Sequence, residues 1–241
     1  MQNRETVKAD CRLVMKRTGK FYLVVPRQAP ERGNHARDQL DQERIVAIDP
    51  GVRTFATGYA PTGPDTGMAF EWGKADMGRI QRLCHHADQL VSDIAKTSKA
   101  KRSRKRRVLW RLHERIRNLV AEVHWKLASF LCSNFTMILL PAFETSNMCK
   151  RGKRRLRSKT VRQMLTWSHF RCQQRLISKA EEYGVRFVIC DESYTSKTCG
   201  KCGILNHKLG GNKRFRCPHC GTCIDRDVNG ARNILLRALL V

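Results

Sequence analysis

Thr195 to Asn233 reads TSKTCGKCGILNHKLGGNKRFRCPHCGTCIDRDVNGARN. Two C-x-x-C pairs, Cys199/Cys202 and Cys217/Cys220, stand fourteen residues apart, and each is followed by a glycine that lets the backbone fold tightly around a metal. Tetrahedral zinc takes four thiolates at about 2.3 Å, and the gap falls just under the usual ribbon range of about 15–20 residues. The spacing predicts a structural Zn²⁺ held by Cys199, Cys202, Cys217 and Cys220. The chain has 11 cysteines, an odd number, with no signal-like segment ahead of them, which argues against a disulfide framework. A closed four-cysteine site keeps no open catalytic position, so any chemistry has to come from residues outside the knuckles. The chain leaves the second knuckle through Asp225, Arg226 and Asp227 into NGARNILLRALL, whose apolar spacing is helical, so an acid is presented at a helix start. Cys223, three residues past Cys220, is read as packing beside the second knuckle, with a substitute ligand as the alternative, and His219 as a spectator.

Charge is the strongest bulk feature. Lys plus Arg number 47 against 21 Asp plus Glu, a net charge of +26 over 241 residues. Such an excess repels itself in a compact state unless a polyanion is the partner, so nucleic acid is expected. No apolar run approaches the roughly twenty residues that span a bilayer. The expectation is an intracellular protein with no membrane partner, nuclear in a eukaryote and otherwise in the cytoplasm or nucleoid. The length suits one main domain with the ribbon inserted in it.

From the amino terminus, CRLVMKRTGKFYLVVP predicts a hairpin turning near Thr18-Gly19 and ending at Pro26. Next, RIVAIDPGVRTFATGYAPTG gives a buried-looking run, Asp49, a Pro-Gly turn and a second β-rich run before a turn at Pro61 to Gly67. Apolar residues at helical spacing predict helices over 79–95 and 108–131, joined by a basic elbow, KTSKAKRSRKRRV. Lys101, Arg102, Arg104, Lys105, Arg106 and Arg107 of that elbow are candidates for phosphate contacts. MILL predicts a short buried strand, followed by Pro141, Glu144 and a second basic run with Arg151, Lys153, Arg154 and Arg155. One helix is expected from Val161 to Glu182 with its aromatics in the core. The last strand, VRFVIC, delivers Asp191 and Glu192 just ahead of the ribbon. Strands alternating with helices predict an α/β fold around a central sheet.

Three segments thus end a strand, or begin a helix, with a carboxylate: Asp49, then Glu144 or Glu192, then Asp227. Acids gathered in so basic a chain would repel a phosphate backbone unless divalent metal stands between them, the combination that two-metal phosphodiester cleavage uses.

AIDPG, the strand-plus-glutamate pieces and TSKTCGKCG…FRCPHCG…DRDVNGARNIL together resemble the nuclease core and inserted zinc ribbon of the TnpB family. LLPAFETSNM, MLTWSHFRCQQRL, DESYTSKTCG and DRDVNGARNILLRAL resemble Fanzor most closely within it. The match runs from about residue 44 to 240. The resemblance implies an RNase H-like (RuvC) mixed sheet flanked by helices, a Mg²⁺-dependent site, and transposon-associated, RNA-guided cleavage of DNA, with guide RNA and DNA as partners. It places Asp49 as the first catalytic aspartate and Asp227 as the last. The third acid, by likeness to Fanzor, is Glu192, two residues past VRFVIC; Glu144, four past MILL and beyond a proline, is the alternative. The domains expected are a hairpin remnant of a wedge-like domain over 1–43, a nuclease core over 44–194 and 225–241, and a ribbon over 195–224. Members that take a guide carry recognition and wedge domains ahead of this core, and only about forty residues precede it here, so the chain is read as amino-terminally truncated. The competing function is a catalytically inactive zinc-ribbon protein that only binds nucleic acid.

Overall fold

The computed structural model describes residues 10–26, 44–62, 67–143, 145–150, 156–191, 194–210 and 212–239. The elements are β1 (Arg12–Met15), β2 (Phe21–Val24), β3 (Ile45–Pro50), β4 (Ala56–Pro61), β5 (Gly67–Trp72), α1 (Lys74–Lys96), α2 (Lys99–Asn134), β6 (Met137–Pro141), α3 (Thr145–Cys149), α4 (Ser158–Trp167), α5 (His169–Tyr183), β7 (Arg186–Cys190), β8 (Arg214–Arg216), β9 (Cys223–Asp225) and α6 (Arg226–Leu239). They divide into two compact units: Met1–Glu31 with Ile80–Leu119, and Arg32–Arg79 with Val120–Val241.

In the first unit, β1 and β2 pair antiparallel and turn at Gly19, at φ 80°, as the sequence predicts. Two strands alone are marginal in water, and Lys16 and Lys20 tie this hairpin to Glu114 of α2 at 3.5 and 3.4 Å. The basic elbow is not a loop. Only Thr97 and Ser98 separate α1 from α2, and residues 99–107 form the first turns of α2. Lysine and arginine are good helix formers, and no glycine or proline interrupts the run. Arg102 and Lys105 fold back on Thr97, donating to its carbonyl at 2.7 Å and its hydroxyl at 2.9 Å.

The second unit is built on a five-stranded sheet in the order β5-β4-β3-β6-β7. β5, β4 and β3 run antiparallel to one another; β3, β6 and β7 run parallel. β5, one of the two edge strands, is not foreseen from the sequence. Alternation sorts the side chains of β3 and β6 to two faces. Ala47 and Leu139 meet Ile234 and Leu235 of α6 on one face. Ile48 and Leu140 line a cavity with Leu127 of α2 and Cys172 and Leu176 of α5 on the other.

The helix expected over Val161 to Glu182 is two helices, broken at Ser168, which sits in the left-handed region at φ 52°, ψ 52°. In a continuous helix residues 167 and 169 would point about 200° apart. The break instead turns both onto Phe55, whose ring lies 4.8 Å from Trp167 and 4.9 Å from His169. Trp167 Nε1 donates to the Val52 carbonyl at 3.0 Å, clamping the turn that follows Asp49. Phe170, expected in the core, is 65% exposed, because the break rotates it outward. Trp167 is fully buried. Trp167→Ala should therefore cost about 3–5 kcal/mol, measured as a shift of the denaturant midpoint.

Candidate metal centre and acidic site

The ribbon is made of two matching knuckles. Cys199 N donates to Ile204 O at 2.9 Å and Gly203 N to Cys199 O at 2.8 Å; Cys217 N donates to Thr222 O at 2.9 Å and Gly221 N to Cys217 O at 3.2 Å. Gly203 and Gly221 close these turns at φ 76° and 71°, a backbone region open to glycine at little cost. Phe215, fully buried, packs between Cys199 and Cys217.

The four ligand sulfurs lie within 4.8 Å of one another. Cys199 Sγ is 3.7 Å from Cys220 Sγ, and Cys202 Sγ is 3.6 Å from Cys217 Sγ. Sulfurs at about 2.3 Å from a tetrahedral zinc stand about 3.8 Å apart, whereas a disulfide closes to about 2.05 Å. The donor set therefore fits zinc. The Thr222 hydroxyl, 3.1 Å from Cys220 Sγ, and the backbone there pull the Cys220 thiol down to about 6, towards the thiolate that a metal needs. Cys223, exposed on β9, is not one of the four.

Asp49 and Asp227, two of the candidate acids, both lie near the start of α6. Asp49 stands near the end of β3, where its carboxylate leans on the helix: its Oδ2 is 2.5 Å from the position a Cβ on Gly230 would take. Asp227 lies in the first turn of the same helix, three residues before Gly230, and residues so spaced are neighbours, about 5–6 Å apart at Cβ. Two oxygen donors are thus brought to one helical turn, a hard set suited to magnesium. Glu144 and Glu192 lie outside the described residues, as do Arg151, Lys153, Arg154 and Arg155. Lys101, Arg102, Arg104, Lys105, Arg106 and Arg107 lie on α2 in the first unit. Asp191 pairs with Arg237 of α6 at 2.6 Å.

Several residues that set up this corner escape the sequence reading. Asp225 Oδ1 accepts from Asp227 N at 2.9 Å and Val228 N at 3.3 Å, the hydrogen bonds of an N-cap, so the acid before Asp227 fixes where the helix begins. Glu71 on β5 shares a cross-strand row with Thr57 and Asp49. Lys213 Nζ joins Glu71 at 2.9 Å to Asp225 at 3.5 Å, tying the ribbon to the sheet edge. Lys74, then Lys213, hold the Glu71 carboxyl below its ordinary range. Lys74 is a local partner of Glu71, but the tie to the ribbon depends on Lys213, 142 residues away. Asn229 and Asn233 did leave a trace: two poor helix formers spaced i, i+4 among the small and apolar residues Gly230, Ala231, Ile234 and Leu235 of α6.

A family model described as "Cas12f1-like, TNB domain" matches residues 167–234. The putative transposase A625R of Paramecium bursaria Chlorella virus 1 is 35% identical over 232 residues, 96% of this chain and 50% of that protein. The TnpB-like protein L79 of Acanthamoeba polyphaga mimivirus is 28% identical over 222 residues, 90% of this chain and 41% of that one. A putative RNA-guided DNA endonuclease of Streptomyces pristinaespiralis is 32% identical over 198 residues, 80% and 45% respectively. Among solved structures, the Cas12f1-sgRNA-target DNA complex holds a chain that aligns at TM-score 0.56 and 21% identity, covering 79% of this chain and 49% of that one. The chain spans about half the length of the curated relatives it matches. Among the described residues, no helix is long and apolar enough to cross a membrane.

Proposed function

We propose, on the premise that this chain is a relative of the TnpB-like proteins with a Cas12f-like RuvC fold and a four-cysteine ribbon, that it is the endonuclease core of an RNA-guided, transposon-associated system. The reaction is hydrolysis of a DNA phosphodiester by a two-Mg²⁺ mechanism, guided by RNA in the full-length context. The observation that carries this is the Asp49 carboxylate lying against α6 one turn from Asp227. Magnesium, when bound, supplies positive charge that activates water and stabilises the leaving oxygen.

Asp49 and Asp227 hold the metal, and Glu192, or Glu144 in its place, completes the set. Their negative charge keeps bare phosphate away, so the backbone approaches only when cations are present. Lys101, Arg102, Arg104, Lys105, Arg106 and Arg107, with Arg151, Lys153, Arg154 and Arg155, grip phosphates without reading bases. In this reading residues 1–43 are the remnant of a wedge-like domain, 195–224 the ribbon and the rest the core, and the closer likeness is to Fanzor.

The test is cleavage of single- and double-stranded DNA with Mg²⁺ and with chelator, by the wild type and by Asp227→Asn, Glu192→Gln and Glu144→Gln. The proposal requires Mg²⁺-dependent product that Asp227→Asn abolishes. Of the two glutamate variants, Glu192→Gln is expected to lose activity and Glu144→Gln to keep it; the reverse moves the third ligand to Glu144. Salt-sensitive binding equal in all four proteins, with no cleavage in any, would leave an inactive nucleic-acid-binding protein.

A further inference from the structure

The ribbon and α6 are joined by side chains that neither hold zinc nor belong to the acidic set. Asn233 Nδ2 donates to Thr195 O and to Thr198 O, each at 2.7 Å. Asn229 Nδ2 donates to Thr198 O at 2.8 Å, and its Oδ1 accepts from Gly200 N at 3.0 Å. Both asparagines are buried, at 1% and 6% exposure. The backbone they hold, Thr198 and Gly200, brackets the zinc ligand Cys199. The fit is close: a Cβ on Gly200 would stand 3.1 Å from Asn233 Oδ1 and 3.2 Å from Asn229 Oδ1.

We infer that Asn229 and Asn233 are positioning residues that couple occupancy of the zinc site to the placement of Asp227. The carbonyls of Thr195 and Thr198 and the N–H of Gly200 meet these side chains only while the first knuckle is folded. In a four-cysteine ribbon that folding depends on metal. Without it the two asparagines would be buried with unmet donors and acceptors, a state that helix fraying relieves by carrying them into water. The fraying starts in the turn that bears Asp227, two residues before Asn229. Because coupling is reciprocal, a knuckle that α6 no longer grips must also hold zinc less tightly. The catalytic consequence rests on the nuclease reading; the coupling does not.

Hydrogen exchange and zinc release test it on the whole chain. In the wild type, stripping zinc should speed exchange of the 227–233 amides about tenfold or more, within the usual span of coupling between sites. With zinc bound, the Asn229→Ala/Asn233→Ala protein should already exchange fast there and should give up its metal to a chromophoric chelator about tenfold sooner. Asn233→Leu keeps the packed volume and loses both hydrogen bonds, so a protein too damaged to study is not the sole recourse; it should show the same two changes more weakly. Gly200→Ala, which crowds both asparagines from the ribbon side, should resemble it. Mn²⁺ titration monitored by spin resonance, as a probe for the acidic site, should weaken on zinc removal in the wild type and not in the double variant. The inference is overturned if zinc removal leaves the 227–233 amides unchanged, or if the variants release zinc at the wild-type rate. Mn²⁺ failing to bind the zinc-loaded wild type would instead sink the nuclease reading, with the exchange data still deciding the coupling.

Discussion

Asp49→Ala should lower Mg²⁺-dependent DNA cleavage on the order of 10³-fold while leaving DNA binding intact or slightly tighter. A metal site contributes several kcal/mol of transition-state stabilisation, and each 1.36 kcal/mol is a factor of ten. Asp49 is one of the two proposed metal-holding carboxylates among the described residues, and its oxygen already touches α6 at Gly230. Its removal leaves Asp227 as the other where the proposed mechanism holds two divalent cations. The opposite sign for binding comes from charge. In a chain of net +26, deleting an acid beside the proposed path of the backbone removes repulsion and costs no phosphate contact. The fold should survive, because the backbone of β3 is paired on both sides by β4 and β6 and the side chain is only partly buried. Cleavage in a metal series and binding across a salt series, on matched preparations, separate the two effects. Equal cleavage by Asp49→Ala and wild type would end the two-aspartate reading. Lost cleavage with a matching loss of binding would assign Asp49 a structural role.

The four-cysteine site was legible because spacing alone constrains it: two C-x-x-C pairs with glycines after them fold as the two knuckles they predict. The hairpin at Gly19 and the strands running to Pro50, Pro141 and Cys190 were legible for a similar reason, since each is a short apolar run. The break at Ser168 was not. No proline or glycine announces it, and the helical periodicity runs through it. What sets it is tertiary: Trp167 and His169 both reach Phe55, and that contact overrides a propensity worth tenths of a kcal/mol per residue. The basic elbow failed in the opposite direction. Charge density suggested a loop, yet lysine and arginine are strong helix formers, and a two-residue break sufficed. β5 was missed because an edge strand with one exposed face carries little hydrophobic signal; its importance lies in Glu71, whose partner Lys213 is remote in sequence. Of the proposed acidic site, the motifs single out Asp49 and Asp227 as candidates. The N-cap at Asp225 and the asparagine grip on the knuckle were not assigned any role, because they are defined by what they touch.

Acid should loosen the second unit well before its carboxylates titrate. His124 and His169 both stack on Phe55, at 5.0 and 4.9 Å from its ring. His124 bonds the Trp167 carbonyl through Nε2 at 2.8 Å and meets Arg175 through Nδ1 at 2.8 Å, so its neutral form, with the proton on Nε2, suits the site. Burial, with Arg175 and Arg171 nearby, lowers His124 to about 4. Burial, with His124 close by, lowers His169 to about 3, and its Nε2 has no hydrogen-bond partner. Both folded-state values lie below the unfolded value near 6.5, so below that pH the unfolded chain binds the extra protons. The stabilising contribution is complete above about pH 6.5 and declines as pH falls towards 4 and 3. At pH 5 each histidine should have withdrawn about 2 kcal/mol, together roughly a 10 °C fall in Tm for a unit of this size. Metal-bound thiolates also protonate in acid, and the four cysteines are placed to bind a metal, so the wild type alone cannot assign the loss. His124→Gln keeps a donor for the Trp167 carbonyl and an acceptor for Arg175 without titrating, and His169→Gln does the same for its neighbour. The double variant retains the ribbon's own acid response, and the difference between its pH 7 to pH 5 shift and that of the wild type isolates the histidines. A double variant that loses as many degrees as the wild type over this window would refute the assignment. A flattened profile would tie the turn after Asp49, held by Trp167 and by His169 through Gly51, to a neutral imidazole pair.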